Sequence, residues 1–368
     1  MWQAEISVDL DAIRGNTALL KRGTSAEVMA VVKADGYGHG AVESARAALE
    51  GGATWLGTAT LGEAAVLRAA GLRAPILAWL WTAGTPLTAA VEGDIDLGVS
   101  TLGQLATVIA AAREAGRSLR THLKIDTGLS RSGAGATDWP VLVEVAAKAQ
   151  TDGFIEVTGV WSHFACADTP GHPSIDSQLA AFDDGLTVAR RFGIEPQLRH
   201  MANSPALLTR PDSHFDLVRA GIATYGLSPI EGSQFGLRPA MTARARILTA
   251  KRVPEGQGVS YGHTYVTSAP STLAVVPLGY GDGVPRSASS VGPVLINGRR
   301  FTIAGRVCMD QFVVDCGDAD VHEGDLAILF GPGDHGEPTA DDWARAAGTI
   351  NYEIVTRFGS SRVSRIYV

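Results

Sequence analysis

The chain has 368 residues, of which 45% are hydrophobic and 19% charged. At roughly 150 residues per domain that length predicts two or three domains, and the composition excludes a disordered or fibrous chain. A net charge of −7, from 31 basic and 38 acidic residues, offers no basic surface for nucleic acid or for an anionic membrane.

No apolar run approaches the ~20 residues of a membrane span. The start, Met1-Trp2-Gln3-Ala4-Glu5-Ile6, lacks a secretory pattern. Cys166, Cys308 and Cys316 form no CxxC motif and read as reduced thiols of a cytoplasmic protein. No metal-ligand spacing is present, so no metal is expected. Only five basic residues are lysines: Lys21, Lys33, Lys124, Lys148 and Lys251. Any lysine chemistry must use one of them.

In chain order, residues 2–9 alternate like a strand. Eight apolar runs follow: Val28–Val32, Trp55–Ala59, Pro75–Trp79, Ile95–Val99, His122–Ile125, Ile155–Ser162, Gln197–His200 and Phe215–Val218. Helical spacing is clearest at Ala41–Leu49, Gly62–Ala70, Leu102–Ala115 and Ser177–Phe192, and is weaker after the third and seventh runs. Alternation implies a parallel sheet. Eight units in ~200 residues point to a closed (β/α)8 barrel, with an open doubly wound sheet as the alternative. No GxGxxG follows the first strand, which weighs against the dinucleotide-binding version.

From about residue 235 the helical patterns fade. Strand-like runs occupy Ala243–Ala250, Leu273–Pro277, Pro293–Ile296, Phe301–Ile303, Gln311–Asp315 and Leu326–Leu329. One short helix, Ala340–Ala347, precedes a last strand, Arg362–Val368. This predicts an α/β fold: a TIM-type barrel over residues 11–234 followed by a mainly β domain over 235–368, which residues 1–10 join.

Barrel chemistry sits at the C-terminal ends of the strands. There the chain has Lys33 with the loop Ala34-Asp35-Gly36-Tyr37-Gly38-His39-Gly40, Lys124-Ile125-Asp126 with Arg131, His163, His200 through Ser204, and Arg219 before Gly221-Ile222. Lys33 follows an unbroken apolar strand. Either its stem snorkels outward, or it is desolvated, with a lowered pKa suited to imine formation. The glycines after Lys33 would let backbone N–H groups approach an anion. Ser204 and Gly221-Ile222 follow strands seven and eight, where barrels place phosphate. An imine-forming lysine beside a phosphate cradle suggests pyridoxal phosphate.

These residues resemble the alanine racemase family. The resemblance covers almost the whole chain: Ala30 through Gly40, Leu123 through Gly128 with Arg131, Ser162 through Ala165, Ala202 through Ser204, and Val218 through Ile222. It continues with Val259 through Tyr265, Pro277 through Gly283, Gly305 through Gln311, and Thr349 through Glu353. Asp35-Gly36 replaces the family's common Asn-Ala, and Ala220 its common Pro. Pro205 lacks an N–H, so one phosphate donor is lost there.

The resemblance implies a pyridoxal-phosphate-dependent isomerase that interconverts L- and D-alanine and supplies D-alanine for peptidoglycan. Lys33 would carry the cofactor and act as base on one face, with Tyr265 on the other face, arriving from the partner in a homodimer. Tyr265, with a phenol pKa near ~10, would need nearby positive charge to act as a base. Arg219 would face the pyridine nitrogen and keep its proton. His163 would pack between Arg219 and the cofactor, unless it is an ordinary core histidine. Tyr37, Asn203, Ser204, Gly221, Ile222 and Tyr352 would hold the cofactor, the phosphate above all. Arg131 and the Met309 backbone would meet the substrate carboxylate. Lys124, beside another cation, would be carbamylated. Asp168, Tyr280, Arg286 and Tyr352 would line a narrow entry that favours a methyl side chain. A serine or broad-specificity racemase, a related decarboxylase and a non-catalytic cofactor-binding barrel are the competing readings.

Overall fold

A computed structural model describes residues 3–359 and 362–368; residue 2 of the first predicted strand lies outside them. The chain divides into two compact units. One comprises Ile13–Gly36 and Gly40–Leu237. The other comprises Arg238 to the C-terminus, the residues before Ile13, and Tyr37–His39.

The first strand, β1 (Ala4–Val8), belongs to the C-terminal unit. The barrel strands are β2 (Glu27–Val31), β3 (Trp55–Thr58), β4 (Ile76–Ala78), β5 (Asp96–Val99), β6 (Leu119–Lys124), β7 (Ile155–Trp161), β8 (Leu198–His200) and β9 (Leu217–Ala220). Their order is β8-β7-β6-β5-β4-β3-β2-β9, and every ladder is parallel. Two backbone bonds cross the remaining gap, from Asp216 N–H to the Arg199 carbonyl (3.1 Å) and from Arg219 N–H to the Ala202 carbonyl (2.9 Å). The sheet is therefore a nearly closed barrel and not an open doubly wound sheet.

Helices lie between the strands. Leu61–Ala69 starts at a capping box in which Thr60 and Glu63 bond each other's backbone, and Thr101 caps Leu102–Ala115. The helices after β4 and β8 have only five and six residues, Thr88–Glu92 and Ser204–Thr209. Those are the two links whose helical spacing is weak in the sequence.

Aromatic side chains fill the barrel, and glycines make room for them. A Cβ on Gly57 would lie 2.8 Å from Met29 Sδ and 3.0 Å from the Trp79 ring. A Cβ on Gly98 would lie 2.9 Å from Trp79 Cβ. The Trp79 and Trp161 rings sit 6.0 Å apart. The register of β6 against β7 shifts between Thr121 and His122, which brings His122 opposite Gly159. Such an irregularity re-aims the side chains beyond it.

In the other unit a six-stranded sheet combines β1 with β10 (Met241–Arg246), β15 (Pro293–Ile296), β16 (Arg299–Thr302), β18 (Leu326–Phe330) and β19 (Ser364–Tyr367). Strand β1 lies between antiparallel β10 and parallel β19. Three more strands, β11 (Thr249–Val253), β14 (Ser271–Val276) and β17 (Phe312–Asp315), form a separate sheet. A short hairpin joins β12 (Gly258–Val259) to β13 (Tyr265–Val266).

Two expectations are corrected here. The predicted run Ala243–Ala250 is two strands, β10 and β11, in different sheets; apolar content alone does not mark the turn at Ile247-Leu248. A second helix, Asn351–Arg357, follows Ala340–Ala347. Its seven residues are too few to display a helical period.

Candidate active site

Lys33 stands two residues beyond β2 and is half-buried. Ala34, Asp35, Gly36 and Tyr37 after it all have φ between 51° and 62°. This single left-handed turn costs about 1–2 kcal/mol at each non-glycine position, so the surroundings must hold it. A Glu63 carboxylate oxygen accepts the Ala34 N–H (2.7 Å), and its other oxygen accepts those of Ala59 and Thr60 (2.8 and 3.0 Å). Asp35 Oδ1 accepts the Ala41 N–H (2.9 Å). Gly36 N–H donates to the Val32 carbonyl and Gly40 N–H to that of Asp35 (2.9 and 2.8 Å).

Part of the loop's N–H set is thus engaged within the protein. The loop after Lys33 spends the N–H groups of Ala34, Gly36 and Gly40 on its own turn and on Glu63, because left-handed backbone directs them inward.

Four cations meet at this barrel mouth. Lys33 is held below the usual ammonium range, chiefly by burial and then by Arg131 and Arg219, with Glu63 opposing. Lys124, at the end of β6, is 6% exposed. Its Nζ donates to Ser132 Oγ (2.6 Å) and lies 4.4 Å from the centre of the Trp161 ring. Burial first, then Arg219 and Arg131, push it down to about 8. The exposed Arg131 rides on a loop that Asp126 shapes, since Asp126 Oδ1 accepts the N–H groups of Gly128, Leu129 and Ser130 (2.9–3.1 Å).

Arg219 sits inside β9, not after it, and is 4% exposed. No carboxylate bonds its guanidinium among the described residues. Nη1 donates to the His200 carbonyl and to His200 Nδ1 (both 3.0 Å). Nη2 meets the carbonyls of Ser162 (2.7 Å) and Met201 (3.1 Å) and His163 Nδ1 (3.1 Å). Nε–H is thus the donor left for a ligand. Burial lowers the guanidinium from its ordinary value, yet it stays charged at neutral pH. His163 is held well below the ordinary histidine range by burial and by Arg219. It is neutral, and because Nδ1 accepts from Arg219 its proton is on Nε2. Gln178 locks this corner, donating to the His163 carbonyl (3.0 Å) and to Thr127 Oγ1 (3.2 Å).

Beside Arg219, Ser204 Oγ accepts the N–H groups of Gly221 (2.8 Å) and Ala223 (3.4 Å). Its own O–H is the donor that it can offer an anion. Asn203 caps the helix Ser204–Thr209, its Oδ1 accepting the Ala206 N–H (3.3 Å). Ile222 is fully buried and Asp168 is exposed.

These side chains fit pyridoxal phosphate. Lys33, Lys124, Arg131 and Arg219 are mutually repulsive cations, which an anionic ligand would relieve. Lys33 has the lowered basicity that an aldehyde-binding amine requires. Ser204 and Gly221 would face the phosphate, and Arg219 Nε–H the ring nitrogen.

The other expected residues belong to the C-terminal unit. Tyr265, on β13, is half-buried, and its hydroxyl donates to Asp315 Oδ2 (2.8 Å). Burial first, and then that carboxylate, raise the phenol to about 12. The positive neighbour that a tyrosine base needs is thus replaced here by an anion. Tyr37 is buried, with its ring 6.4 Å from that of Tyr352, and burial pushes its phenol up. A Cβ on Gly38 would stand 2.3 Å from the Val355 carbonyl oxygen, so only glycine permits this approach. Tyr280, Arg286 and Met309 are exposed. The Met309 carbonyl accepts the Gly281 N–H (2.9 Å).

Sequence reasoning missed Glu63, Gln178 and Trp161 as parts of the site. Glu63 carried one signal, its place as the third residue after Thr60 in a capping box. Trp161 carried none.

The family model for the alanine racemase N-terminal domain matches residues 8–229, and that for the C-terminal domain matches residues 240–367. An alanine racemase of Salinispora arenicola is 65% identical, covering 100% of this chain and 99% of that protein. The crystal structure of alanine racemase from D-cycloserine-producing Streptomyces lavendulae superposes with a TM-score of 0.98 at 55% identity, over 100% of this chain and 97% of that one. The alanine racemase of Bacillus anthracis, solved with bound L-Ala-P, gives a TM-score of 0.92 at 36% identity, over 100% and 95%. A lysine with lowered basicity and a buried arginine lacking a carboxylate partner thus stand in a chain matched from end to end: the chain belongs to the alanine racemase family.

Proposed function

We propose that the chain interconverts L-alanine and D-alanine with pyridoxal phosphate, using Lys33 and Tyr265 as the two acid–base groups. The observation that carries this reading is Lys33 itself, an amine depressed by burial and by two arginines at the barrel mouth. When bound, pyridoxal phosphate supplies an electron-poor conjugated system that acidifies the Cα–H bond of an attached amino acid.

Lys33 Nζ, freed once substrate is attached, takes or returns the Cα proton on one face. Tyr265, from a second copy of the chain, serves the opposite face. At about 12 its phenol is protonated at rest, so Tyr265 is poised to deliver a proton before it removes one. Arg219 would hold the ring nitrogen as a donor without protonating it. By keeping its own proton, Arg219 would limit electron withdrawal through that nitrogen and so favour prompt return of the proton to Cα over side reactions. Arg131 and the Met309 backbone receive the substrate carboxylate, and Asp168, Tyr280, Arg286 and Tyr352 restrict entry to small side chains. Tyr37, Asn203, Ser204, Gly221, Ile222 and Tyr352 complete the cofactor site. Among the described residues no helix is long and apolar enough to cross a membrane. A cytoplasmic homodimer supplying D-alanine for peptidoglycan suits this reading.

Chiral analysis of L-alanine incubated with the protein and pyridoxal phosphate tests it. Equal amounts of the two enantiomers are expected, with L-serine and L-lysine turned over more slowly. Persistence of pure L-alanine with the cofactor bound would sink the reading.

Lys124 is part of the proposal. Its neutral amine adds to carbon dioxide, forming an N–C bond and losing one proton, and so becomes an anionic carbamate. That converts a repulsive neighbour of Arg131 into an attractive one. The reaction needs the neutral amine, so occupancy should rise as pH increases through about 8. Native mass spectrometry in bicarbonate buffer should show one added carbon dioxide per chain, absent from Lys124→Arg. An unmodified amine at high pH and high bicarbonate would count against it.

A further inference from the structure

Inside the barrel an unbroken line of hydrogen bonds runs from β5 to β9. Asp96 Oδ2 meets His122 Nε2 (3.2 Å). His122 Nδ1 meets His200 Nε2 (2.9 Å). His200 Nδ1 meets Arg219 Nη1 (3.0 Å). Asp96, His122 and His200 are fully buried. The Trp161 indole stacks on His200 at 5.5 Å and 7°, and Trp55 stands edge-on to His122 at 5.6 Å. Gly159 makes the line possible, because a Cβ there would lie 2.2 Å from His122 Nδ1.

The two ends of this line dictate every proton in it. Asp96 is an ionised carboxylate and only accepts; Arg219 only donates. His122 Nε2 must therefore carry a proton, and His200 Nδ1 must not. With both rings neutral, His200 Nε2–H donates to a bare His122 Nδ1, and each contact has one hydrogen. A second proton on either ring would set two donors against each other, at Arg219 or between the rings. Burial and Arg219 also hold His200 well below the ordinary histidine range. Beyond Asp96, Arg120 Nε donates to Oδ1 (2.7 Å). That bond fixes which carboxylate oxygen faces His122.

We propose that Asp96 and His122 are positioning residues for racemisation: they hold His200 in the tautomer whose bare Nδ1 accepts from Arg219, and so aim Arg219 Nε–H at the cofactor ring. The catalytic consequence rests on the function proposed above; the tautomers do not.

Asp96→Asn tests the polarity at nearly constant volume. Arg120 needs an acceptor, so the amide oxygen turns to it and the NH2 group faces His122. His122 must then accept at Nε2 and carry its proton on Nδ1. His200 follows, and its Nδ1–H opposes the Arg219 guanidinium. The readout is 15N NMR of histidine-labelled holoenzyme at neutral pH, where the two ring nitrogens of a neutral imidazole differ in shift. In the wild type His122 and His200 are expected as neutral Nε2–H tautomers. In Asp96→Asn both should become Nδ1–H, and kcat for L-alanine should fall about 10- to 100-fold with KM little changed, as when a partner that orients a functional group is lost.

A charged ring or an Nδ1–H His200 in the wild type overturns the proposal without any variant, which covers a failure of Asp96→Asn to fold. Unchanged tautomers in Asp96→Asn overturn it whatever the rate, and so does an unchanged kcat with inverted tautomers. Absence of racemisation in a wild type with the expected tautomers would refute the function and leave the wiring intact.

Discussion

Lys33→Ala is expected to abolish racemisation, by at least about 10⁴-fold in kcat, and to remove the visible absorbance of a lysine-linked cofactor. General acid–base catalysis alone contributes up to about 10⁴-fold, and Lys33 also carries the covalent link. Lys124, Lys21 and Lys148 are not placed to substitute. Lys124 also stands at the mouth, but its Nζ is engaged with Ser132 and the Trp161 face. Lys21 Nζ bonds the Ala26 carbonyl, and Lys148 pairs with Asp152. The fold should survive, because Glu63, Asp35 and the Val32 carbonyl bond the backbone of the left-handed turn and remain in the variant. Stopped assays, absorbance spectra and circular dichroism on one preparation check all three expectations. A folded variant that retains activity would show that Lys33 has been misassigned.

Tyr265→Ala should lower racemisation about 10²- to 10⁴-fold, the range for loss of one acid–base group, while the cofactor stays bound. The informative signature is directional. Enantiomers have equal free energy, so kcat/KM must fall equally from both sides. Exchange of the α-hydrogen with solvent deuterium has no such constraint. The enantiomer whose Cα–H faces Lys33 should still exchange, without inversion. Its mirror image should not. Equal loss of exchange from both enantiomers would rule out a one-face role. The Asp315 carboxylate beside the Tyr265 hydroxyl sharpens the test. Replacing it by Asn removes one of the causes that raise the phenol, so the limb of the pH–rate profile governed by Tyr265 should move to lower pH.

The order of strands and helices was legible in the sequence because it rests on local periodicity. A polar residue directly after an apolar run also marks a barrel mouth, and that exposed Lys33, Lys124, His163 and the Arg219 region one by one. What they do to each other was not legible. Arg131 weighs on Lys33 from 98 positions away (131 − 33) in sequence, and only the parallel strand order brings them within electrostatic reach. The left-handed turn after Lys33 was not legible either, because glycine content does not report the sign of φ at Ala34 and Asp35.

The buried line to Arg219 shows the same division. His122 and His200 are 78 residues apart, and Asp96 and His122 are 26 apart. Strand order, the register shift opposite Gly159 and the missing Cβ there together place them in one row. By itself the sequence determined the family, the eight alternating units and the polar residues near their strand ends, because apolar periodicity and short motifs are properties of neighbouring residues; closure of the barrel rests on bonds between β8 and β9. The tertiary structure alone decided which cations share a mouth, which carboxylates stand near them and which nitrogen of each histidine carries a proton. Those are properties of distance and burial, and neither is written along the chain.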